Sequence, residues 1–93
     1  MNNPEISKML TLSTAHVSEA TAAKLEKGRA CLLSIFAKGE YGWFIFVARE
    51  DGSMGGAPSD LAACIAKARA LGCDWLCLDR DGETVGDLPT YEW

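Results

Sequence analysis

The chain has 93 residues, 48% of them apolar and 24% charged, and carries a formal net charge of −4. That length sets a single domain, residues 1–93, with a thin core, because a chain of this size buries only about 60–65% of the surface it exposes when unfolded. The apolar content excludes a disordered chain, no apolar run reaches the roughly 20 residues of a membrane span, and residues 1–8 lack the layout of a secretory signal, so the expected location is cytoplasmic with no membrane partner.

Residues 1–5 are polar, include Pro4 and read as a loose lead-in. Residues 9–17 alternate, with Leu10 and Leu12 opposite Thr11 and Ser13, which predicts a first strand. Ser18 is placed to cap a helix running to Lys27 and stopped by Gly28, with Ala20, Ala23 and Leu25 as its apolar face. Residues 29–37 read as a second strand. After the Lys38-Gly39-Glu40 turn, residues 41–49 form a third, with Trp43, Ile45 and Val47 on one face and Phe44, Phe46 and Ala48 on the other. A strand apolar on both faces is either covered twice or keeps one face for a partner, a second copy of the chain included.

Residues 51–58 are a glycine-rich loop, and Ser59 is placed to cap a second helix through Leu71, whose Leu61, Cys64, Ile65, Ala68 and Leu71 follow a helical period. Residues 73–79 predict a fourth strand, Asp81-Gly82 a turn, and residues 83–93 an extended C-terminal tail or short edge strand. The order β-α-β-β-α-β is that of a ferredoxin-like α+β domain, a four-stranded antiparallel sheet with two helices on one face.

The chemistry-bearing residues do not assemble into a catalytic or metal motif. Cys31, Cys64, Cys73 and Cys77 lie in apolar segments and read as buried thiols; the Cys73–Cys77 spacing suits neither a zinc knuckle nor a redox dithiol. His16, the single histidine, sits beside hydroxyl residues that cap helices more often than they act as nucleophiles, so a small enzyme centred on it is the third reading. Residues 79–83 form a turn without calcium-loop spacing, and residues 52–56 lack the lysine of a phosphate loop. No cofactor or metal is expected.

Two constellations point to binding. From Cys73 onward six carboxylates, Asp74, Asp79, Asp81, Glu83, Asp87 and Glu92, face only Arg80, and Trp75, Tyr91 and Trp93 are interleaved with them. A negative field with aromatic anchors suits docking on a protein with a basic surface, although such charges also serve as a solvated edge. The other constellation is Trp43, Phe44 and Phe46 on the third strand, similar to the aromatic motif with which RNA-recognition domains stack bases. The negative balance and the lack of an aromatic on the first strand oppose direct nucleic-acid binding.

Leu12-Ser13-Thr14-Ala15-His16, Tyr41-Gly42-Trp43-Phe44, Cys73-Asp74-Trp75-Leu76 and the closing Leu88-Pro89-Thr90-Tyr91-Glu92-Trp93 together resemble an uncharacterised bacterial family of small proteins carried on plasmids and other mobile elements. The resemblance implies no activity of its own. By analogy with other small acidic proteins of mobile elements, it implies an inhibitor of a host CRISPR or restriction complex that covers a basic nucleic-acid groove. The expected function is thus a non-enzymatic, acidic protein-binding module, with an RNA- or single-strand-binding domain as the alternative.

Overall fold

Residues Trp75–Asp79 form a strand whose three middle side chains, Leu76, Cys77 and Leu78, are all buried, and a strand apolar on both faces belongs at the centre of a sheet. That is its place in the computed structural model, which describes residues 6–27, 35–47 and 57–92. The elements are β1 (Met9–Ser13), a 3-10 turn (Thr14–His16), α1 (Glu19–Glu26), β2 (Ile35–Lys38), β3 (Gly42–Phe46), α2 (Ser59–Ala70) and β4 (Trp75–Asp79). The sheet order is β1-β4-β3-β2; β3 is antiparallel to both β2 and β4, whereas β1 runs parallel to β4.

This mixed sheet corrects the antiparallel ferredoxin-like arrangement expected from the sequence. In that arrangement β1 would sit inside the sheet; here β4 does, and β1 forms an edge. The physical reason lies in the two patterns. β1 exposes Met9 and Thr11 and buries Leu12 toward the core, the alternation of a strand paired on one side, while β4 offers no polar position between Trp75 and Asp79.

Register fixes the faces. Leu10 and Leu12 stand opposite Leu76 and Leu78, and Trp43 and Ile45 opposite Leu78 and Leu76, so these side chains share one face. They join Val17, Leu25, Val47, Leu61, Cys64, Ile65 and Ala68 in one core, which places both helices on this side of the sheet. The other face carries Met9, Thr11, Phe36, Lys38, Phe44, Phe46, Trp75, Cys77 and Asp79.

Several boundaries differ from the sequence reading. The first strand ends at Ser13, where the Ser13 hydroxyl accepts the Ala15 N–H and starts the 3-10 turn. Ser18 does cap α1, accepting from the Thr21 N–H, but the buried face is Thr21, Ala22 and Leu25, with Ala20 and Ala23 outside. Thr21 faces inward because its hydroxyl donates to Asp60, 2.8 Å away. Pro58, not Ser59, holds the N-cap position of α2 and makes no side-chain cap bond. Residues 83–92 form no strand. The expected lead-in at residues 1–5, the Gly28 stop, the second strand before Ile35, Cys31, the third strand after Val47, residues 51–56 of the glycine-rich loop and Trp93 lie outside the described residues.

Asp60 joins the helices. Its carboxylate accepts from the Ser18 N–H, the Thr21 hydroxyl and the Leu61 N–H. Burial pushes this carboxyl up, but the accepted hydrogen bonds outweigh it and hold it below the ordinary range. Its contribution to stability is therefore present above the pKa of the unfolded chain and lost as pH falls through the lower folded value. Asp60→Asn should cost about 1–3 kcal/mol at neutral pH, by leaving donors unmatched, and should flatten the acid limb of a stability-against-pH curve measured by urea unfolding.

β3 and β4 approach closely at Gly42: a Cβ there would come within 1.7 Å of the Leu78 carbonyl oxygen. Gly42→Ala should therefore open the central pairing and destabilise by about 3 kcal/mol or more. Chemical denaturation checks this, with a loss under about 0.5 kcal/mol, the usual scale of a neutral surface change, contradicting the register.

Candidate functional site

The sheet face opposite α1 and α2, helix-free among the described residues, is built from alternate residues of all four strands. Phe36, Phe44, Phe46 and Trp75 cluster there with Met9 at the margin. The Trp75 ring lies 6.0 Å from Phe36 and 5.2 Å from Phe46, the latter edge to face. Phe36 is 54% exposed, Met9 45% and Phe46 42%, so the cluster is open to solvent. A shallow groove runs between Met9, Phe36, Phe44 and Trp75.

One margin of this face is polar. Lys38 forms an ion pair with Asp79 and lies 5.7 Å from the centre of the Phe44 ring. The bond from Lys38, seconded by the Asp81 N–H, holds the Asp79 carboxyl below the usual range, and Asp79 in turn raises Lys38. Beneath them Cys77 is buried, and burial pushes its thiol up against the opposing pull of Lys38. Burial also pushes the Cys64 thiol, inside the core, up to about 12. Neither sulfur has the lowered pKa of an activated nucleophile.

The expected third-strand trio is divided between the two faces. Phe44 and Phe46 belong to the open cluster, whereas Trp43 points to the helix side, where it packs against the core and lines a separate cleft. Trp75, grouped by sequence with the acidic residues, instead joins Phe46 and Phe36. A period-two count assigns residues to faces within one strand, but only the register β3–β4 brings Trp75 beside Phe46. Phe36 escaped the sequence reading; its alternation with Ala37 held the signal.

The acidic residues are spread over several sides. Asp74 precedes β4 and accepts from the Lys8 N–H, and Asp79 lies at the other end of that strand, about 16 Å away at the usual rise. Asp87 pairs with Lys67 of α2 at 2.7 Å, on the helix side, and that bond holds its carboxyl low. Asp81, Glu83 and Glu92 are exposed and make no ion pair among the described residues. Tyr91 is partly exposed, and its N–H donates to the Ala15 carbonyl.

Far from trailing away, the segment after β4 is strapped to the domain by His16. The ring is 1% exposed; its Nε2 accepts from the Val85 N–H at 2.9 Å, which leaves Nδ1–H to donate to the Pro89 carbonyl at 2.8 Å. Ser13 N–H donates to the Glu83 carbonyl, Val85 and Leu88 pack on the core, and Gly82 lies so close to Leu12 that a Cβ would meet its carbonyl at 2.8 Å. Both ring nitrogens of His16 thus serve the backbone, which leaves no lone pair for general-base work.

Among the described residues no group of three His, Cys, Asp or Glu side chains is placed to hold a metal ion, and no helix is long and apolar enough to cross a membrane. Residues 9–93 match the model of a family of unknown function (DUF5983), C-terminal domain. No curated protein and no solved structure matches the chain.

His16→Ala should leave the Val85 N–H and Pro89 carbonyl unmatched and cost about 2–3 kcal/mol. Amide exchange at Val85 and Tyr91 should then quicken far more than at Leu76; equal quickening everywhere would show that the ring does not hold the strap.

Proposed function

As the chain belongs to that family of unknown function, no activity comes with its membership, and we propose from the geometry that it is a non-enzymatic protein-binding module whose contact surface is the helix-free face of the sheet. The observation that carries the reading is the open cluster of Phe36, Phe44, Phe46, Trp75 and Met9. A small domain with one core gains nothing from leaving contiguous aromatic surface in water, whereas aromatics on a rigid sheet lose little entropy when a partner covers them.

The exposed Asp81 and Glu83, just beyond the C-terminal end of β4, add a negative margin, and the net charge of −4 favours a basic partner. A nucleic-acid-handling defence complex, inhibited by a small acidic protein of a mobile element, is the specialised form of this reading. Asp79 and Asp87 are committed to Lys38 and Lys67, so the field offered to a partner rests on Asp81, Glu83 and Glu92.

The second reading, single-strand nucleic-acid binding, is favoured by Phe36, Phe44 and Phe46 standing together on an open sheet face, the geometry in which bases stack. It is disfavoured by charge. Lys38 is the single cation among the described residues of that face and Asp79 neutralises it.

The double variant Phe36→Ser/Phe46→Ser separates these readings from a merely structural role. Both rings are about half exposed but each touches Trp75, so the variant should stay folded while losing about 0.5–1.5 kcal/mol per ring contact. The tagged parent should retain a stoichiometric protein from bacterial lysate at low salt, and the variant should lose it. Retention by the variant would refute the sheet-face surface, and saturable quenching of tryptophan fluorescence by oligonucleotides would favour the second reading.

A further inference from the structure

A cleft of about 620 Å³ opens at the end of the sheet where β1 and β4 finish and β3 begins. The parallel pairing creates it. Because β1 and β4 run the same way and β3 runs against them, Ser13, Thr14 and Ala15, the turn Gly39–Gly42, and Arg80 all emerge at that end. The last helical residue of α1, Glu26, and Tyr91 of the C-terminal segment complete the lining.

Tyr41, Trp43 and Tyr91 line the cleft, and so do Glu26 and Glu40, both exposed and without an ion pair among the described residues. Arg80, the single cation among the described lining residues, lies over the Tyr41 ring at 4.7 Å from its centre. The walls are pinned by the Arg80 N–H donating to the Tyr41 carbonyl at 2.7 Å and the Tyr91 N–H donating to Ala15 at 2.8 Å.

We propose that this cleft is a binding site for an organic cation, the guanidinium or alkylammonium group of a basic side chain or a small polyamine. Aromatic side chains attract cations to their ring faces, and among the described lining residues two carboxylates outnumber the one guanidinium, so the site favours a positive ligand over an anion. The volume is within the range of small-ligand pockets and admits a lysine or arginine side chain. Arg80 on Tyr41 already displays inside the molecule the contact that an incoming cation makes with Trp43 and Tyr91. The site does not depend on the open sheet face, from which Trp43 is separated by the sheet itself.

The test is a titration of the ¹⁵N-labelled chain with N-acetyl-arginine methylamide, N-acetyl-lysine methylamide and spermidine, against N-acetyl-norleucine methylamide and N-acetyl-glutamate methylamide. The cations should shift the Trp43 indole N–H and the amides of Glu40, Tyr41, Arg80 and Tyr91 saturably, and the neutral and acidic probes should not. Glu26→Gln/Glu40→Gln, at two exposed positions, should weaken cation binding by about tenfold, the loss of two modest charge contacts, while strand resonances of β4 stay in place. Tighter binding of spermidine would identify a free polyamine and tighter binding of a capped residue a protein side chain; either ranking upholds the cation site. Equal binding of the norleucine or glutamate probe, no saturable shift with any cation, or an unchanged affinity in the double glutamine variant would overturn it. The Phe36→Ser/Phe46→Ser variant should titrate like the parent, so failure here and failure of the sheet-face reading are separately visible.

Discussion

β4 is paired on both edges and apolar on both faces, and the rest of the molecule is arranged around that constraint. Leu76 and Leu78 project into the helix-covered core while Cys77 fills the middle of the opposite face. An isolated strand with this pattern would leave two rows of backbone donors and acceptors unmet and apolar groups wet on both sides. Pairing with β3 antiparallel and β1 parallel satisfies both rows. The parallel pair then brings the ends of β1 and β4 to one side of the domain, where the chain leaving β4 meets the 3-10 turn and is strapped down by His16.

Two surfaces of different character follow. At one end and across the open face, the register sets Trp75 beside Phe46 and Met9 beside Trp75, so aromatic groups from strands distant in sequence become neighbours. At the other end the strand termini, the turn before β3 and Tyr91 enclose a polar cleft with aromatic walls. The two described helices lie on one face, and on the other Met9, Phe36 and Phe46 stay exposed, as a chain this short has little further mass to cover them.

Local chemistry made the segments legible. The Leu10–Leu12 alternation, the Ser18 cap, the helical period of Leu61, Cys64, Ile65 and Ala68, and the apolar run before Asp79 are all signals within a few residues, and each produced its element. Pairing was not legible, because whether β1 or β4 is central depends on how two distant strands compete for β3. The uninterrupted run Leu76-Cys77-Leu78 against the half-polar Met9 and Thr11 was the available clue. The same holds for the site: alternation puts Phe44 and Phe46 on one face, but nothing local in the sequence joins Trp75 or Phe36 to them. Likewise, the charge count in residues 73–93 could not tell that Asp79 and Asp87 are spent on Lys38 and Lys67, nor that His16 fixes residues far along the chain.

The most direct measurement is the set of nuclear Overhauser contacts across β1 in solution. Contacts joining Leu10 to Leu76 and Leu12 to Leu78 in parallel register, with none from β1 to β3, are predicted by a sheet centred on β4 with β1 at its edge. A ladder of contacts between β1 and β3, with β4 displaced outward, would contradict it, and with it the joining of Trp75 to the open aromatic face and the cleft at the strand ends.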